Sequence, residues 1–282
     1  MVELQIPRHL GPESAPEWFA IWAPVADEPQ LTLIVPAAAS GGRAEALENP
    51  AFQVLVAASV ASRSARALRT DLGPGAVPAA LTAAFLAPAH EQSQIHARGG
   101  GSDVLRRVTD LRVARELADR SADVLESQMP SLSASVVRMA RFVFEELAAN
   151  IVQHSGAAQT GFGCVRARPE LRRLELAFAD CGVGFRESLQ RNLELRGRVA
   201  DDAEALQLAL SPRISGTGPG RTNMGWGLKQ LIDFSDLLGG DLWIATGEAL
   251  FHRKTAAGQR VNTIRAMPPW RGTWICLDAP VS

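Results

Sequence analysis

The sequence has 282 residues, 46% hydrophobic and 21% charged, with a formal net charge of −1. That length supports a sizeable core and, by size, two domains. The near-neutral balance argues against a dedicated nucleic-acid binder, which needs a basic excess to neutralise phosphates.

The N-terminus, Val2-Glu3-Leu4-Gln5, lacks the basic and apolar regions of a signal peptide, and no apolar run approaches the ~18 residues of a membrane span. The expectation is a cytoplasmic protein with no membrane contact. Its cysteines, Cys164, Cys181 and Cys276, are odd in number and widely spaced, so they form neither a disulfide framework nor a zinc site. Cys164 and Cys276 lie in apolar runs and read as core thiols. The histidines show no metal-ligand spacing.

In chain order, residues 1–100 read as a small α/β module for regulation or partner contact, carrying no catalytic spacing. Residues 31–36 form a buried strand and 50–68 an Ala-rich helix, with Trp18, Phe19 and Trp22 as a core anchor. Gly99-Gly100-Gly101 marks the boundary. A helix is predicted over 103–129, closed by Pro130.

The next helix starts at about Leu132, with Ser131 as its N-cap and Val136, Ala140, Val143, Leu147 and Ile151 on one apolar face. Gly156 ends it. Glu146 and Asn150 are four apart, one turn above each other, and border that apolar face. A carboxylate and a carboxamide so close to a buried surface need a partner, since an unpaired buried charge is costly. A metal ion carrying phosphates would supply one. His154 sits in the last turn, where a cation suits the helix dipole.

Strands are predicted over 160–166 and 174–180, the second running into Asp180-x-Gly182-x-Gly184. A carboxylate at a strand end can accept a hydrogen bond from an exocyclic amine, and the glycines let a flat ring approach the backbone. Residues 185–224 read as a lid, with Asp201 capping a short helix and a glycine run over 215–220. Gly225 and Gly227 then open a helix carrying Leu228, Leu231 and Ile232. Free backbone N–H groups at a helix start hold phosphate, with Arg221, Thr222 and Lys229 as further donors. Three strands close the chain, over 241–246, 260–265 and 272–277.

These pieces in this order, Glu146-x-x-x-Asn150, Asp180-x-Gly182-x-Gly184, Gly225-x-Gly227-Leu228 and a terminal Gly272-Thr273 strand, resemble the GHKL (Bergerat-fold) ATPases. That superfamily includes gyrase, histidine kinases and mismatch-repair clamps. The stretch 145–155, E-E-L-A-A-N-I-V-Q-H-S, is most similar to the bacterial anti-sigma-factor serine kinases. The resemblance covers about residues 112–277 and implies an α+β chain whose 101–282 domain is a Bergerat-fold α/β sandwich, a mixed sheet with helices on one face.

It also implies ATP and Mg²⁺ as cofactors. Asn150 would hold the metal, and Glu146 would orient or deprotonate the attacking group. Asp180 would read the adenine amine in a pocket shaped by Gly182 and Gly184, with Thr273 nearby. Gly225, Gly227, Leu228, Arg221 and Lys229 would surround the phosphates. The implied function is a serine/threonine kinase acting on a regulatory protein partner, with a homodimer allowed. The alternative is an ATP-gated protein-binding switch with little or no phosphoryl transfer. No helix carrying a phospho-accepting histidine is recognisable. The extra 1–100 module and the long lid depart from the usually compact anti-sigma kinases.

Overall fold

The computed structural model describes residues 2–5, 12–25, 31–35, 53–54, 57–58, 67–70, 103–211 and 227–281. They form an α+β chain with two sheets. The smaller sheet is parallel, in the order β1 (Val2–Gln5), β2 (Leu31–Val35), β3 (Ala67–Thr70). Helix α1 (Ala15–Trp22) lies between β1 and β2 in sequence. The helix expected over 50–68 stops short. Residues 53–54 and 57–58 are helical, but Ala67 and Leu68 already pair with β2.

The larger sheet contains β4 (Asp103–Arg107), β5 (Phe162–Arg168), β6 (Arg173–Asp180), β7 (Asp241–Ala256) and β8 (Gln259–Pro280), in the order β4-β5-β6-β8-β7. Every pairing in it is antiparallel, not mixed as expected. β5–β6 and β7–β8 are hairpins and a helical hairpin joins β4 to β5; the crossover in this sheet, from β6 to β7, skips a position that β8 fills, so these two parallel strands never pair. The predicted helix over 103–129 therefore splits into β4 and α2 (Leu111–Gln128). Asp110 sets the new start, its side chain accepting from the Val113 N–H at 2.9 Å. The three C-terminal strands are two long ones joined by a tight turn.

The key helix is α3 (Ala134–His154), capped by Ser133 and not Ser131. The Leu132 N–H donates back to the Met129 carbonyl at 3.0 Å, so 129–132 is a turn and helical geometry begins after it. Then come α4 (Gly184–Gln190), α5 (Asp202–Ala209) and α6 (Gly227–Leu238). The Asp201 cap holds as expected, accepting from the Glu204 N–H at 2.8 Å.

Helices α2, α3 and α6 bury Leu117, Phe144, Leu147, Leu231 and Phe234 against Leu174, Leu176, Phe178, Ile244 and Ile275 of the sheet. The alternating residues on the other face, such as Cys164, Ala177, Trp274 and Cys276, are also buried. Part of that face is covered by α1, where Phe19 lies 5.3 Å from Trp270 and 6.0 Å from Trp274. Helices thus meet both faces, because an apolar second face must also be removed from water. Trp18, Phe19 and Trp22 are buried, as a core anchor should be. Among the described residues, no helix is long and apolar enough to cross a membrane.

Candidate functional site

One cleft runs between α3, the strand ends of β6 and β8, α4 and the start of α6, and it gathers most of the expected residues. At one end stand Glu146 and Asn150. The α-helical repeat stacks them on one side of α3, and the core contacts of Leu147 and Ile151 turn that side to the cleft's edge. Gly227, the first residue of α6, sits against both. A Cβ built there would lie 3.3 Å from Glu146 Oε2 and 3.4 Å from the Asn150 amide nitrogen. Any side chain would fill the space between the acid, the amide and the helix start.

Glu146 is half-buried, and its pKa is raised, first by that burial and then by the neighbouring Glu145 carboxylate. A carboxylate and a carboxamide facing the cleft suit a hard cation, which takes one or two such protein oxygens and completes its shell with phosphates and water. Among the described residues no group of three or more His, Cys, Asp or Glu side chains could hold a metal by itself. A metal here would need its remaining ligands from a bound molecule.

Asp180 marks the other end. It is 4% exposed, and among the described residues no cation faces it; its hydrogen bonds come from the backbone N–H groups of Gly182, at 2.8 Å, and Thr273. Burial pushes its pKa up to about 7 against those two donors. Asp180 and Thr273 are directly paired across β6 and β8, which explains their shared place in the cleft wall.

Gly182 is needed for close approach. A Cβ there would stand 2.2 Å from the Ser155 carbonyl oxygen, which accepts the Val183 N–H at 2.9 Å. The end of α3 and the loop after β6 are locked together at that point. Gly184 has a φ of +68°, a conformation suited to glycine, and it opens α4.

The placement of the other predicted residues differs. Leu228 lines the cleft. Lys229 does not; its ammonium pairs with Asp233 one turn along α6. Arg221, Thr222 and Gly225 lie outside the described residues, as does the lid from 212 to 226. The described part of the lid packs Leu189, Leu195, Val199, Ala205 and Ala209 into a small core of its own. His154 lines the cleft, but burial and then Arg191 lower its pKa, so the neutral ring is favoured over the cation expected at a helix end.

Thr246, which had not been singled out, braces the site together with Gly272 of the terminal Gly272-Thr273 motif. The Thr246 hydroxyl donates to the Gly272 carbonyl at 3.1 Å and accepts from the Phe185 N–H at 3.0 Å, tying the first turn of α4 to the strand ends. The signal was faint but present. Thr246 ends an apolar strand run with a polar side chain.

No family model and no curated protein matches the chain.

Proposed function

We propose that this protein binds Mg-ATP and acts as a serine/threonine protein kinase of the anti-sigma-factor type on a regulatory protein partner. Asp180 carries the reading. It is a buried carboxylate in a cleft wall, held among the described residues by two backbone N–H groups and no cation, and an adenine amine would give it a further donor. Glu146 and Asn150 stand at the far end of the same cleft, beside the start of α6, where phosphates would lie.

Bound Mg²⁺ would supply charge neutralisation for the transferring phosphoryl group. Asn150 would hold it through its amide oxygen. Glu146, its proton affinity raised by burial and by the Glu145 carboxylate, would take the acceptor hydroxyl's proton.

A second reading, an ATP-gated binding switch, is favoured by a different observation. The residues that follow the cleft pair Asp180 and Thr273 point the other way. Cys181 donates to the Ala58 carbonyl at 3.3 Å and Trp274 packs on Phe19, so the ring pocket adjoins the N-terminal segment.

The experiment follows the γ-phosphate of labelled ATP with the pure protein and with lysate from its source, beside Glu146→Ala. Label on a distinct lysate protein, absent with Glu146→Ala, is the expected result. Nucleotide binding without transfer would favour the switch, and no nucleotide binding would overturn both readings.

A further inference from the structure

The β7–β8 hairpin outruns the sheet. Pairing of β8 with β6 ends at Asp180–Thr273, whereas pairing with β7 continues to Ala256–Gln259. The two strands are joined through Ala257 and Gly258, both at positive φ, the two-residue turn that matches strand twist. Residues 249–256 and 259–266 thus form a projecting two-stranded arm. Among the described residues no strand covers the other edge of 259–266, and residues 261–266 are all exposed.

The ladder fixes which groups face outward. Ala256–Gln259 closes the turn as a hydrogen-bonded pair, so Val261, Thr263 and Arg265 bond inward to β7. Arg260, Asn262 and Ile264 then direct their N–H and C=O groups away from the arm. This is an open edge in line with β6.

Its charge is one-sided. Residues 249–266 include Arg253, Lys254, Arg260 and Arg265 and no acidic residue, in a chain that holds 30. Arg253 and Arg260 are bound to Asp236 of α6, at 2.7 and 2.8 Å, and these contacts brace the arm. Lys254 and Arg265 stand on the opposite face, beside exposed Val261, and have no ion pair among the described residues.

We propose that this edge docks an acidic, extended segment of a partner protein, added to β8 as a strand in line with β6. Main-chain hydrogen bonds to the outward groups of 260, 262 and 264 would supply the pairing, and Lys254 and Arg265 the selection. A second copy is disfavoured because it would bring the same cations against one another. Nucleic acid could meet the charge but would leave the peptide ladder unpaired. The surface goes beyond the nucleotide reading and does not depend on it.

The test measures fluorescence anisotropy of a labelled peptide alternating Glu and Thr, titrated with the full chain at low salt without nucleotide. Its comparators are a Lys/Thr peptide, the Glu/Thr peptide N-methylated at alternate amides, and single-stranded DNA of equal charge. Binding of the Glu/Thr peptide alone is expected, with about tenfold loss in the Lys254→Glu/Arg265→Glu double variant. That variant should keep its melting temperature and ATP affinity, so a loss reads on the arm and not on the cleft. Equal binding of the N-methylated peptide or of DNA would overturn the proposal, as would no binding or an indifferent double variant.

Discussion

Asp180 places stability and ligand binding in opposition within one side chain. Its pKa is about 7 in the folded chain against a reference of 3.8, so between those values the folded state holds a proton that the unfolded state has released. Stability from this group is present at low pH and is lost as pH rises from about 4 to about 7. Asp180→Asn removes the titration and can still accept from Gly182 and Thr273. The variant should therefore be more stable than the parent at pH 8, by on the order of a few kcal/mol, with a flatter melting-temperature profile over that window. Its ATP affinity should fall by ~1–3 kcal/mol through the lost charge-assisted hydrogen bond. Thermal melts across pH beside calorimetric ATP titration check both. A variant that is no more stable at pH 8, or that binds ATP as well as the parent, would remove Asp180 from its assigned place.

At the scale of elements, the contact between Ser155 and Gly182 joins the helix bearing Glu146 and Asn150 to the strand bearing Asp180. A methyl group on Gly182 would meet a backbone carbonyl at 2.2 Å, and a carbonyl cannot swing aside as a flexible side chain can. Gly182→Ala should cost about 1–3 kcal/mol in urea unfolding and should weaken ATP binding by widening the cleft. An unperturbed variant would mean the two elements are not locked. This contact was not legible in the sequence, because nothing in Asp180-x-Gly182-x-Gly184 says which element approaches. The helix around Glu146 and the strand into Asp180 were legible, since each has a clean period. Asp103–Arg107 was misread because the apolar pattern of α2 was extended back past the Asp110 cap. The strands expected over 260–265 and 272–277 are one strand that runs through Pro268 and Pro269. The two prolines fall in the irregularity between the Ala249–Ala266 and Gly247–Trp270 pairs, where no ladder donor is required.

At the scale of the molecule, the contact of α1 with the sheet bears on how the N-terminal residues relate to the cleft. Trp270 and Trp274 are almost fully buried, and Phe19 packs tilted on the first and edge-on against the second from outside the sheet. Removing that ring leaves a cavity between two large indoles that cannot close without moving β8, the strand that also carries Thr273. Phe19→Ala should thus cost about 3–5 kcal/mol of global stability. If α1 and the sheet unfold as one unit, tryptophan fluorescence and far-UV circular dichroism should give one coincident urea transition, shifted as a whole in the variant. Two separated transitions, with only the first moved by Phe19→Ala, would make the N-terminal residues an independent module. In that case the path from Ala58 and Phe19 to the cleft could not carry a signal. One transition, together with an ATP affinity altered in Phe19→Ala, would instead mean that whatever engages the N-terminal residues also acts on the nucleotide site, since linkage between two ligands must run both ways.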